Sequence, residues 1–412
     1  MKAAYSSVCA AAIAAAMFFH VSATHAAAGD PLGLEFQVDN GTGTYFSAPA
    51  AARDGAGDTV IAWARAGAGQ GVYARLYDPS GTPKGPEFAV PLGHAPAAAV
   101  PAVAMDRAGD FVVANTTADA AKQSFTIQAQ RYSVNGTALG APITVASVPK
   151  LIVLGFASAP SLAMDADGDF IVVWSQGVVF DFNIPDTLDA AAGARLIFAR
   201  RYGSNGVAKG PAFLVVGDPP DVLITGGGPQ AVAMDDNGNF VVAWNNENLY
   251  RDTVEFKRYN TNGLQLGLKV EAKPLSDKFP YGLQLAMDAA GNFILFWTEG
   301  GIGGPYHEVA QRYSAVGKAQ GAAAVISSQT GQVGMQSDGE FALVWGDSSN
   351  VKAQRYSAGA VAEGGIIPVS SSIGSPVAAF DGYGDFVVAW AGGPISGVNL
   401  YSSIHARLFS GH

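Results

Sequence analysis

Met164-Asp165-Ala166-Asp167-Gly168-Asp169-Phe170-Ile171-Val172-Val173-Trp174 is the stretch on which the reading of this chain turns. It joins a strand end, a tight turn and a second strand that is apolar on both faces. The pattern recurs with first turn residues at Asp54, Asp106, Asp235, Asp288, Gln336 and Asp381, which makes seven copies spaced 45 to 70 residues apart. Trp63, Trp174, Trp244, Trp297, Trp345 and Trp390, all the tryptophans of the chain, close the second strand, and Asn115 takes that place in the second copy. An Asp carboxylate can accept backbone N–H groups across such a turn, and the glycine supplies a positive φ. A second strand without period-two alternation must be covered on both sides.

Each unit reads as four strands. The first ends in a small residue (Ala52, Ala104, Ala163, Ala233, Ala286, Gly334 or Ala379) next to the turn, with Met beside it in five copies. The third carries Gln-Arg-Tyr or a variant, with its aromatic at Tyr77, Tyr132, Tyr202, Tyr259, Tyr313, Tyr356 and Phe409. A second tight turn and an outer strand follow. The last unit has only three strands, and residues 33–38 match the outer strands found elsewhere, so they are expected to complete it. Four-stranded units at this period predict an all-β fold, a seven-bladed β-propeller closed by its N-terminal strand.

The copies resemble the DADGDFVVVW and AQRY repeats of large secreted bacterial proteins, some of which also carry RTX calcium repeats. Their turns are similar to those of NHL-type propeller blades. The resemblance implies a blade fold over residues 29–412 and carries no catalytic residue with it.

Lys2, the apolar run Ala10 to Phe19 and the small residues ending at Ala28 read as a signal peptide over residues 1–28. That predicts a secreted protein, periplasmic or extracellular, with no membrane span. Cys9, the one cysteine, would leave with the signal, so disulfide, thiolate and Cys-metal chemistry are not expected. A net charge of −10 argues against nucleic acid as a partner. A monomer is expected.

Length variation falls after the second and fourth strands, which emerge on one face, and loops on a rigid scaffold carry function. Two loop clusters stand out there: Asn245, Asn246, Glu247, Asn248, Tyr250, Arg251 and Asp252 in the fourth unit, and Tyr306, His307 and Glu308 in the fifth. Aromatics beside amides and carboxylates suit a glycan or protein ligand, with Tyr250, Arg251, Tyr306, His307 and Asn246 as contacts. The leading expectation is thus a binding module rather than an enzyme. The alternative is a lyase or hydrolase acting on a polysaccharide or small molecule, with His307, Glu308, Glu247 and Asp252 as acid–base groups. Only the third turn, with Asp165, Asp167 and Asp169 at alternate positions, resembles the start of a calcium loop. The other copies lose those carboxylates, so a backbone-capping turn is expected and no cofactor. The third-strand arginines are expected to pair with turn carboxylates.

Overall fold

The computed structural model describes residues 26–41, 45–67, 69–93, 100–119, 124–149, 159–178, 194–216, 230–247, 252–275, 280–300, 304–394 and 401–412. The expected signal lies outside the described residues up to residue 25. Among the described residues every regular element is a strand, and the sheets are antiparallel.

Five sheets have four strands in simple sequential order. Unit 3 shows the pattern: Ser161–Met164, Phe170–Val178, Ala194–Tyr202 and Phe213–Val216, with Ala163 opposite Ile171 and Trp174 opposite Phe198. Units 2, 4, 5 and 6 repeat it. Units 1 and 7 are joined in one nine-stranded sheet. Unit 7 supplies Gly374–Phe380, Phe386–Pro394 and Tyr401–Phe409, and the short strand Phe36–Gln37 adds to its edge, with Phe36 opposite Ala406. The expected completion of the last unit by the N-terminal segment is therefore present. Backbone bonds from Gly29 N to Ser410 O, Leu32 N to Leu408 O and Val38 N to Ile404 O extend it.

The two-residue strand Tyr45–Phe46 was not foreseen. It pairs with Tyr401 on one side and with Arg65 and Ala66 on the other, clasping unit 7 to unit 1. Beside the clasp, buried Asp39 accepts the Ile404 N–H at 2.7 Å and the Gly41 N–H at 2.8 Å.

The first strand of every unit touches the first strand of the next, and that of unit 7 touches that of unit 1. Small residues permit this approach. A Cβ on Gly334 would stand 2.5 Å from the Ala378 carbonyl oxygen. Each tryptophan packs back onto the preceding unit: Trp174 with Val112 and Ala114, Trp244 with Val173, Trp297 with Val241, Trp345 with Phe296, Trp390 with Val344, and Trp63 with Val387 and Ala389. Burying aromatics of this size at each seam removes 150–250 Å² per ring from water, roughly. Asn115 leaves the seam between units 1 and 2 without one, and its amide is fully buried with neither atom hydrogen-bonded.

The turns carry the second set of seam contacts. In six units Oδ1 of the first turn residue accepts two backbone N–H groups, as Asp106 does from Ala108 and Asp110 at 2.9 Å. The turn glycines from Gly57 to Gly384 all have positive φ. The third-strand arginines do not, as a group, seek turn carboxylates. Arg131, Arg201 and Arg258 donate instead to the carbonyls of Ser204, Thr261 and Ala315 in the next unit, and among the described residues Arg355 alone of this set pairs with a turn carboxylate, Glu340 at 3.0 Å. A guanidinium stem crossing to the neighbour gains a strong donor contact while its methylenes cover the seam.

Candidate functional site

Alternating strand direction places the connections after the second and outer strands on one side, opposite the Asp turns. In unit 4, Asn246 is half-buried on Phe240–Glu247, opposite Thr253. Its neighbour Asn245 is buried and donates to the Pro280 carbonyl at 2.9 Å, a tie to unit 5. The register sets Glu247 opposite Asp252. Tyr250, Arg251 and Asn248 lie outside the described residues.

Unit 5 brings more together. Tyr306 is 46% exposed and meets Tyr281, 40% exposed, edge to face at 5.7 Å and 89°. Tyr306 lies on Gly300, where a Cβ would stand 2.0 Å from its ring, so this glycine makes the bed for the ring. Tyr281 sits where the first strand slips register between Tyr281 and Gln284, with Gly282 at φ +64°. Such a bulge twists the strand end and re-aims its side chains. Burial, with Tyr306 and Glu308 nearby, raises the Tyr281 phenol above its ordinary range.

His307 and Glu308 follow one another on His307–Tyr313, so their side chains leave opposite faces of the sheet. His307 is half-buried opposite Glu299, whose carboxylate is occupied by the Trp297 indole N–H and the Leu275 N–H, both at 2.7 Å. Glu308 is fully buried toward unit 6. One carboxylate oxygen accepts the Thr298 hydroxyl at 3.2 Å; the other makes no hydrogen bond, with the Gly331 N–H nearby. Burial pushes its carboxyl up to about 7, the direction expected when the charged form loses water. The structure therefore does not set His307 and Glu308 about a shared reacting atom.

The third turn has no convergent ligand set. Asp165 Oδ1 caps its own turn, Asp167 is exposed, and Asp169 accepts the Ser204 N–H and pairs with Lys209. Among the described residues no three metal-capable side chains come together. The first turns instead ring a depression of about 580 Å³, open solvent included, touched by residues of six units. Arg107 of unit 2 pairs with Asp236 of unit 4 there, and buried Arg53 of unit 1 pairs with Asp381 of unit 7 at 3.2 Å.

Sequence reasoning missed Tyr281. Its signal was an aromatic between Pro280 and Gly282 upstream of the repeated core, a place where no other copy has one.

No family model matches the chain, and no curated protein matches it. Solved structures do. A protein of unknown function from Dyadobacter fermentans is similar at a TM-score of 0.51 and 15% identity, over 76% of this chain and 94% of that one. An ulvan lyase from a new family of polysaccharide lyase, bound to -[GlcA(1-4)Rha3S]-, is similar at a TM-score of 0.55 and 12% identity, over 91% and 96%. The β-propeller domain of the trilobed protease from Pyrococcus furiosus is similar at a TM-score of 0.47 and 11% identity, over 84% and 90%. At these identities the likeness concerns the fold, which is of β-propeller type.

Proposed function

We propose that the chain is an exported, closed seven-bladed β-propeller that binds a glycan on the face opposite its Asp turns. Closure is supported by the unbroken cycle of first-strand contacts, by Trp63 packing on unit 7, and by one depression touching six turns. Export rests on the signal read in residues 1–28.

The observation that carries the binding reading is the Tyr281–Tyr306 pair. Two exposed rings held edge to face form a rigid apolar platform whose hydroxyls stay free for polar contacts, at little entropic cost on binding. A pyranose matches such a surface: one face of C–H groups, and a rim of hydroxyls for groups such as His307. The alternative, an enzyme at this face, draws on Glu308, a carboxyl held near neutrality between units 5 and 6.

A glycan array probed with the mature chain, beside Tyr281→Ala and Tyr306→Ala, tests the reading. Either substitution is expected to weaken binding about tenfold or more, roughly 1.4 kcal/mol. Glycan binding that survives both would overturn it. Release of new sugar ends by the wild type, lost in Glu308→Gln, would favour the enzyme.

A further inference from the structure

The seams on the Asp-turn side form an internal comparison, because the third-strand arginine recurs in units 2 to 6, with Leu76 and Leu408 in its place in units 1 and 7. At the seams between units 2 and 3, 3 and 4, and 4 and 5, the third-strand arginine crosses to a carbonyl in the second tight turn of the next unit. At the seam between units 5 and 6 the matching acceptor is Ala358, yet Arg312 turns back and donates to Gln320 Oε1 of its own unit at 2.9 Å. The first turns of units 5 and 6 are joined by the Ala289 N–H to Ser337 carbonyl bond at 2.9 Å, but the turn glycine of unit 6 stands back. A Cβ on Gly339 would lie 3.7 Å from Asp288 Oδ2, where the matching gap is 2.9 Å at Gly109, Gly168 and Gly238 and 3.0 Å at Gly291. Gln336 replaces the usual aspartate in that turn, and Asp338 takes over by accepting the Glu340 N–H at 3.0 Å.

The result is a cleft of about 240 Å³ between units 5 and 6, against about 10 Å³ for the corresponding cleft between units 3 and 4, where Arg201 reaches Thr261. The larger volume lies below the usual range for drug-sized ligands, about 300–1,000 Å³, and suits a molecule of only a few heavy atoms. Three polar functions on its wall have capacity to spare: the remaining donors of Arg312, the second carboxylate oxygen of exposed Asp338, and the Ala358 carbonyl. Asp288 is more heavily engaged, since Oδ1 accepts the Ala290 and Asn292 N–H groups and Oδ2 accepts Asn292 Nδ2. Met335 adds an apolar wall.

One cation, two carboxylates of which Asp288 is already engaged within its turn, and an apolar wall are complementary to a small zwitterion. A simple anion would meet Asp338, and a simple cation would meet Arg312. We propose that this cleft binds a free α-amino acid with an apolar side chain, its carboxylate on Arg312, its ammonium on Asp338 and its side chain on Met335. A guanidinium offers a carboxylate two parallel donors, the strongest neutralisation available to it.

Calorimetric titration of the full chain with L-leucine tests this, with leucinol lacking the carboxylate and 4-methylpentanoate lacking the ammonium. Leucine is expected to bind, and each comparator to bind about tenfold more weakly. Arg312→Gln should weaken leucine and 4-methylpentanoate alike. It should leave the melting temperature unchanged, because Arg312 makes no bond to unit 6 among the described residues. Asp338→Asn, at an exposed position, should weaken leucine and spare 4-methylpentanoate. No heat with leucine at about 20 mM, equal affinity for leucinol, or unchanged leucine binding in both variants would overturn the assignment.

Discussion

Asp106 Oδ2 lies 2.9 Å from the point where a Cβ on Gly168 would stand. The carboxylate that caps one turn through Oδ1 thus packs its other oxygen on the turn glycine of the next unit. Asp54 does the same to Gly109, Asp165 to Gly238, Asp235 to Gly291 and, across the joined ends of the chain, Asp381 to Gly57 at 3.1 Å. The glycines answer two constraints at once, a positive φ and a neighbour's oxygen.

Gly168→Ala is therefore expected to cost about 2 kcal/mol or more, since φ is +86° and the new methyl would also meet Ser204 Cβ at 3.1 Å. Gly140→Ala is the control. It has a comparable φ of +85° and open space around it, so it should cost about 1 kcal/mol less. Urea unfolding of the two variants measures the difference, and equal costs would remove the inter-unit contribution.

The buried pair Arg53–Asp381 predicts an asymmetry. Units 2 to 6 place Met where unit 1 has Arg53, and among the described residues Asp54, Asp106, Asp165, Asp235 and Asp288 of the preceding turns are held by backbone N–H groups without an arginine. Arg53→Met is expected to stay within about 1 kcal/mol of wild type, because Asp381 keeps the two backbone N–H bonds that hold the turn aspartates of other units. Asp381→Asn leaves the guanidinium buried without its carboxylate, and should cost about 3 kcal/mol. Thermal unfolding of both variants reads the ordering.

Asn115 keeps a fully buried amide without a hydrogen-bond partner at a position that holds Trp in every other unit. An orphaned polar group costs about 1–3 kcal/mol, and an apolar group of similar shape recovers much of it. Asn115→Leu should raise stability by about 1 kcal/mol in denaturant titration. A loss of stability would mean that the amide is satisfied in solution.

Glu308 sets a pH dependence. Its folded-state value near 7 lies above the ordinary 4.5, so the folded protein holds a proton that the unfolded chain has released. The native state is favoured by that proton at low pH, and the advantage is lost as pH rises from about 4.5 through 7. The loss is at most about 3 kcal/mol. Glu308→Gln, which cannot ionise, should become progressively more stable than wild type over that interval and then hold a constant lead. Parallel pH profiles would place the proton elsewhere.

The unit was legible because its signals are local. Asp, Gly and Trp at fixed offsets report a turn and a covered strand wherever they occur, and residues 33–38 were recognisable as an outer strand by likeness to their copies. The clasp at Tyr45–Phe46 was not legible, because two residues carry no periodicity and their partners, Tyr401 and Ala66, are distant in sequence. The destination of Arg131, Arg201 and Arg258 was misread for a different reason. A backbone carbonyl leaves no mark in the sequence, whereas the carboxylates they were expected to meet do. At the candidate site Tyr306 was visible as an aromatic in a variable connection. Tyr281 becomes its partner only through a register slip that cannot be read from residue types.

The sheet that unites the two ends imposes an order of assembly. During synthesis Phe36 emerges long before its partner Ala406, while Phe46 can pair early with Arg65 and waits for Tyr401 only on its other side. When Tyr401–Phe409 is made its outer neighbour already exists, and a product that stops before it leaves Phe36–Gln37 without a berth. Arrival of Tyr401–Phe409 and the joining of units 1 and 7 in one sheet are thus a single event.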